Sequence, residues 1–165
     1  MPPWTIEPLH AGHAVEDFNC GDDALNRFLV RYALVNQRAH ASRTYVALKD
    51  AEVVGFHTLV VGEVAPDQAP ERVRKGLARH PVPLMVLARL AVARSHQGQG
   101  LGAGLLKDAI LRTLAAADIA GIRALVVHAK DERARSFYGH FGFQSSPTDP
   151  LHLYALIKDL KALRG

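Results

Sequence analysis

The chain has 165 residues, 48% of them hydrophobic and 22% charged, with a formal net charge of +4. This is the size of one domain with enough apolar material for a core, so wholesale disorder is excluded. No apolar run reaches the roughly 18 residues of a membrane span, no leader pattern opens "MPPWTIEPLHAGH", and the one cysteine, Cys20, excludes an internal disulfide and points to a reducing cytoplasm.

"WTIEPL" (4–9) reads as a first strand. "CGDDALNRFLVRYALVNQ" (20–37) reads as an amphipathic helix, because Leu25, Phe28, Leu29, Tyr32 and Ala33 recur at helical spacing. Asp22 and Asp23 stand where a carboxylate caps free N–H groups. "RTYVALK" (43–49) and "EVVGFHTLVVGEV" (52–64) are β-rich runs joined by a tight turn in "KDAE". A proline-flanked insert follows (65–83), with one short helix in "PERVRKGLAR".

"LMVLARLAV" (84–92) is nearly all apolar, as in a strand buried on both faces. After it come glycines and a helix to about Ala117, then a buried strand, "IRALVVHA" (122–129). "DERARSFYGHFGF" (131–143) begins as a helix and has Gly142 as its stop signal. "LHLYALI" (151–157) is a last strand before a short basic tail. The order β, α, β, β, insert, β, α, β, α, β predicts a mixed α/β (α+β) fold, with helices covering a central sheet.

The glycines of "ARSHQGQGLGAGLLKDAI" (93–110) stand between a strand and a helix start. Unpaired N–H groups and a partial positive charge there suit a phosphate, and bare α-carbons let it approach. A P-loop is excluded, since no Lys-Ser or Lys-Thr follows. A dinucleotide fingerprint fits only in its alanine variant, at Ala103, and lies late in the chain.

"QGQGLG" resembles the [RQ]-x-x-G-x-[GA] pyrophosphate loop of the GNAT-fold N-acetyltransferases, with Gln97, Gly100 and Gly102 at its fixed positions. "RLAV" (89–92) before it and Ala134, Phe137, Tyr138, Gly142 and Phe143 after it extend the resemblance. The resemblance implies acetyl-CoA as cofactor. It implies amides of Gln97, Gly98, Gln99, Gly100, Leu101, Gly102 and Ala103 on the pyrophosphate. It also implies a splay between the strand ending Leu90, Ala91, Val92 and the strand at 123–128, with the pantetheine in the gap, and it adds Asp131 to the cofactor set. No metal is called for.

By the same resemblance Tyr138 is the acid that protonates the departing thiolate; a phenol with a pKa of about 10 keeps its proton at neutral pH. The plainer reading is a core tyrosine beside Phe137 and Phe141. Many relatives carry a carboxylate base near the splayed strand, yet "LMVLARLAV" has none. Glu63 and His57 are the candidates left. The absence leans toward an α-amine substrate, whose pKa of about 7.7–8.0 leaves a neutral fraction that a lysine at about 10.4 lacks.

"FNCGDDALNRFL" (18–29) is similar to the opening of the acetyltransferase toxins of bacterial toxin–antitoxin pairs, and later motifs continue the match in order over roughly 15–157. That family acetylates the α-amine of an amino acid charged on tRNA and so blocks translation. Its partner is a ribbon-helix-helix antitoxin, through which the complex reaches operator DNA and represses its operon, and relatives are commonly homodimers. In that light Arg89, alone in an apolar strand, is a contact to the tRNA acceptor end or else an ion pair with a helix carboxylate. Arg72, Arg74, Lys75, Arg79 and Arg38 are backbone-contact candidates or ordinary solvated charges. Cys20 reads as structural. The alternatives are a small-amine or protein N-terminal acetyltransferase, and a non-catalytic acetyl-CoA-binding co-repressor.

Overall fold

The hairpin at 43–64 shows how closely local sequence dictates this fold. Its two connecting residues, Asp50 and Ala51, have φ of 51° and 66°. That is the left-handed conformation a two-residue hairpin turn demands. The turn sets the register, pairing Lys49 with Glu52 and, beyond a bulge at Ala47/Leu48, Ala47 with Gly55 and Arg43 with Leu59.

The computed structural model describes residues 3–77 and 80–164. Its strands are β1 (Thr5–Pro8), β2 (Arg43–Lys49), β3 (Glu52–Val64), β4 (Val82–Val92), β5 (Ala124–His128), β6 (Gln144–Ser145) and β7 (His152–Leu156). They form one mixed sheet in the order β1-β2-β3-β4-β5-β7-β6. The helices are α1 (Asp23–Arg27), α2 (Ala33–Arg38), α3 (Glu71–Arg74), α4 (Leu101–Ala117), α5 (Glu132–His140) and α6 (Ile157–Arg164). The expected mixed sheet flanked by helices is the observed architecture.

Two compact units divide the chain, residues 1–60 with 88–109 and residues 61–87 with 110–165. In the first, β1 pairs antiparallel with β2, and β2 with β3. Asp22 caps α1, accepting from the N–H groups of Ala24 and Leu25. A π-helical turn, Phe28–Tyr32, joins α1 to α2 and turns Phe28 and Leu29 into the core. There Phe28 stacks on Phe56, and Phe18 meets Phe56 edge-on. Gln37 anchors the end of α2 by donating to Leu9 C=O and accepting from Thr44 N–H. A second cluster packs Ala47 and Val54 against Leu101 and Leu105 of α4.

In the second unit β4 and β5 pair in parallel from Leu84/Ala124 to Leu87/Val127, and β5 pairs antiparallel with β7. Val82, Leu84, Ala124, Val126, Tyr154 and Leu156 bury one face under Ala69 and Val73. The described part of the insert contains a 3-10 turn, Pro66–Gln68, and the short α3, which is tied down by Arg123, whose guanidinium donates to the carbonyls of Val73, Arg72 and Lys75. The expected basic tail is helical: α6 begins directly at the end of β7. The two-residue β6 is too short for a periodic signal.

Candidate functional site

In the first unit β4 leads into the glycine segment. The ladder to β5 stops at Leu87, while β4 runs on to Val92. Ala88 is exposed there, and Arg89 and Leu90 are half-buried, unlike the closed apolar strand the sequence suggests. Ala91 is buried, and Val92 packs with Leu90 against the α4 cluster. The expected edge, a stretch of β4 outside the β5 ladder, is therefore present at Arg89–Val92.

A 3-10 turn, Arg94–His96, follows, and α4 opens at Leu101. Gly98 and Gly100 hold φ of 77° and 87°, and a Cβ built on either would meet nothing within 4 Å. Among the described residues the backbone N–H groups of Gly98, Gln99, Gly100, Leu101, Gly102 and Ala103 have no acceptor; the ladder of α4 begins with Gly104 N–H donating to Gly100 C=O. Six such donors in a row, with open space beside Gly98 and Gly100, are an anion cradle, reinforced by the positive end of a 17-residue helix. The residues fit the diphosphate of acetyl-CoA. Gln97 differs from the rest: its Nε2 donates inward, to Cys20 C=O and Val92 C=O, both at 3.0 Å.

Arg89 is also in this unit. Its Cζ lies 3.6 Å from the centre of the Phe28 ring, and among the described residues no carboxylate pairs with it. The ion-pair alternative is thus not realised; the guanidinium is stacked and its charge is left for another anion. Partial burial lowers its pKa from the usual value without making deprotonation relevant near neutrality. Arg38 is exposed at the end of α2.

Neither base candidate gains support. His57 is fully buried, its Nε2 2.7 Å from Asp108 Oδ2 and its Nδ1 sealed without a partner. No proton from an entering substrate reaches it; the pair ties β3 to α4. Glu63 is exposed on β3 in the second unit. Cys20 is half-buried against the Phe18–Phe56 core, consistent with a structural role.

In the second unit Tyr138 lies on α5, buried, with its ring edge-on to Phe137 and Phe143. Among the described residues its hydroxyl has no partner, and it is not one of the sealed polar atoms. Burial pushes its pKa up to about 12, so the phenol is held as an acid. Asp131 is the N-cap of α5, its Oδ1 accepting from Ala134 N–H at 2.8 Å. Gly142, at φ 90°, ends α5 as expected.

The basic group is not uniform. Arg72 forms a two-pronged surface ion pair with Asp159, at 2.8 and 3.1 Å. Arg74 lines a cavity with Asp67, Glu71 and Ser145. Lys75 lines another, of about 650 Å³, with Arg123, Lys158 and Lys161. Arg79 lies outside the described residues. Sequence reasoning missed this cavity because its cations come from segments tens of residues apart.

One further cluster holds metal-binding residue types: Glu7, His10 and His13 place ligand atoms within 4.8 Å of one another. His10 Nδ1 accepts from Gly12 N–H and His13 Nδ1 from His10 N–H. Each neutral ring therefore carries its proton on Nε2, where a metal needs a lone pair. These bonds shape a turn.

The family model described as an acetyltransferase (GNAT) domain matches residues 40–145. A "tRNA-acetylating toxin" of Mycobacterium tuberculosis (strain ATCC 25618 / H37Rv) is 50% identical over 151 residues, covering 92% of this chain and 90% of the relative. The solved structure of AtaT complexed with acetyl-methionyl-tRNAfMet superposes with a TM-score of 0.91 at 30% identity, covering 98% of this chain and 99% of that one. A tyrosine-to-phenylalanine variant of AtaT, bound to the C-terminus of the antitoxin AtaR and to acetyl-CoA, superposes with a TM-score of 0.84 at 30% identity, covering 98% of each chain.

Proposed function

The chain belongs to the GNAT acetyltransferases, and from that premise we propose that it uses acetyl-CoA to acetylate the α-amino group of an aminoacyl-tRNA, as a toxin that stops translation. The observation that carries this reading is the row of free N–H groups from Gly98 to Ala103 beside the unladdered edge of β4. The likeness to a tRNA-acetylating toxin at 50% identity supports the substrate class. We take residues 1–165 as one acetyltransferase domain.

Acetyl-CoA supplies an activated thioester. The chain's own residues bind and orient it. Amides 98–103 hold the diphosphate, and main-chain groups of Leu90, Ala91 and Val92 align the pantetheine as an added strand would be aligned. Tyr138 holds a proton at its hydroxyl for the departing sulfur. A general base is dispensable for this substrate. An α-amine is mostly neutral near or above pH 8, and esterification of its carboxyl lowers its pKa further. Arg89, stacked on Phe28 with its charge unspent, meets an acceptor-end phosphate.

The partner is an antitoxin of the ribbon-helix-helix type, which neutralises the toxin and supplies the contacts to operator DNA. The AtaT complex with the antitoxin C-terminus supports the first part. The working assembly is a homodimer. Transfer from labelled acetyl-CoA to charged tRNA, with free amino acids and amines as controls, tests the reading. Salt-sensitive transfer to charged tRNA alone is the expected result; efficient transfer to free amines alone would return the small-amine alternative.

A further inference from the structure

We propose that the turn Asn19–Gly21, which opens the first helix, is the clamp that sets the cofactor loop, so that the "FNCG" motif governs acetyl-CoA affinity. The inference rests on acetyl-CoA being the cofactor of the 97–103 loop.

The turn and the loop meet at three points. Arg94 N–H donates to Asn19 C=O at 2.9 Å. Gln97 Nε2 donates to Cys20 C=O at 3.0 Å and, by the same amide, to Val92 C=O at 3.0 Å. Gly21, at φ 92°, presents a bare α-carbon to the Arg94 side chain; a Cβ there would lie 3.0 Å from Arg94 Nε. Gln97 thus bridges the turn and the end of β4 across 77 residues of sequence.

The turn is itself rigid. Asn26 Oδ1 accepts from Cys20 N–H at 2.9 Å. Asn19 Oδ1 accepts from Gly21 N–H at 2.9 Å and from Asn26 Nδ2 at 3.1 Å. Phe18 is buried in the core just before it, and Asp22 caps α1 just after it. None of these bonds uses an N–H of the 98–103 row. The clamp spends main-chain carbonyls and side-chain amides on position and leaves all six donors for the ligand. Donors fixed in advance bind better than donors that must be ordered on binding. Gln97 and Asn26 are therefore positioning residues.

The test is calorimetry of acetyl-CoA binding to the full chain, with melting temperature measured alongside. Gln97→Ala, at an exposed position, weakens binding about tenfold. Gln97→Arg, which again offers donors to both carbonyls, restores most of it. Asn26→Leu, which unlocks the turn without touching the loop, weakens binding about fivefold and raises the KM for acetyl-CoA while kcat at saturation stays within twofold. Unchanged affinity in Gln97→Ala and Asn26→Leu overturns the clamp while leaving the cofactor assignment intact. Failure of the wild-type chain to bind acetyl-CoA overturns the assignment itself.

Discussion

Arg89 lies over the face of Phe28, its Cζ 3.6 Å from the ring centre, and Phe28 belongs to the π-helical turn inside the first helix. The wide turn brings the ring beneath the guanidinium, which is satisfied on one flat face and, among the described residues, has no carboxylate on its edge. The contact is worth about 1 kcal/mol. Arg89→Gln lowers kcat/KM for charged tRNA several-fold and reduces the slope of log activity against log salt by about 1, while acetyl-CoA binding is unchanged. Arg89→Lys recovers the charge but not the flat stack, so its recovery is partial. Steady-state kinetics across a salt series check both.

Tyr138→Phe removes a hydroxyl that has no partner among the described residues, so the fold hardly notices. The unfolding midpoint and the acetyl-CoA dissociation constant stay within twofold or a degree or two, while kcat falls by about 10²–10⁴. Growth arrest in cells falls with it. Retained toxicity would remove Tyr138 from the chemistry and favour the co-repressor alternative.

The pH profile follows from the same residue. Burial raises the Tyr138 pKa to about 12, above its unfolded value of about 10. The neutral phenol therefore stabilises the fold fully below about pH 10, and that contribution is lost as pH climbs toward 12. Activity should rise through an acid limb with an apparent pKa below about 8, set by the substrate amine, and show no Tyr138 limb below pH 10. Rate profiles on an aminoacyl-tRNA and on its Tyr138→Phe background separate the two groups.

The His57–Asp108 pair is a stability element outside the catalytic group. His57→Leu loses one bond to a carboxylate and costs about 1–3 kcal/mol, read from the denaturation midpoint, with no selective change in kcat. A large loss of kcat in a folded His57→Leu protein would return His57 to the chemistry.

Much of this was legible in the sequence where the signal is local. The hairpin Arg43–Lys49 and Glu52–Val64 coincides with its β-rich runs, because alternation and a two-residue turn fix it without help from elsewhere. The glycines from 98 to 102 announce bare donors before a helix. Long-range partners were not legible. Arg72 meets Asp159 across 87 residues, Phe28 meets Arg89, and Gln97 meets Cys20; no spacing rule connects them. The π turn is hidden because one extra residue in a helix leaves the apolar pattern almost intact. The cap of α5 is another local signal: Asp131 precedes the helix and accepts from Ala134 N–H.

Gly100 has φ 87°, and a Cβ there would point into open space rather than into protein. Gly100→Val forces a β-branched residue into the left-handed region and crowds the anion, so acetyl-CoA affinity falls at least tenfold. Calorimetry reads this directly; wild-type affinity in the folded variant would mean the ligand is not seated on this loop.

The most direct measurement is amide hydrogen exchange, residue by residue, with and without acetyl-CoA. The donors from Gly98 to Ala103 make no bonds to the described residues, so they exchange fast in the free chain and slow sharply when the diphosphate is bound, together with main-chain groups of Arg89–Val92. Protection that appears elsewhere while those amides keep exchanging freely would contradict the account.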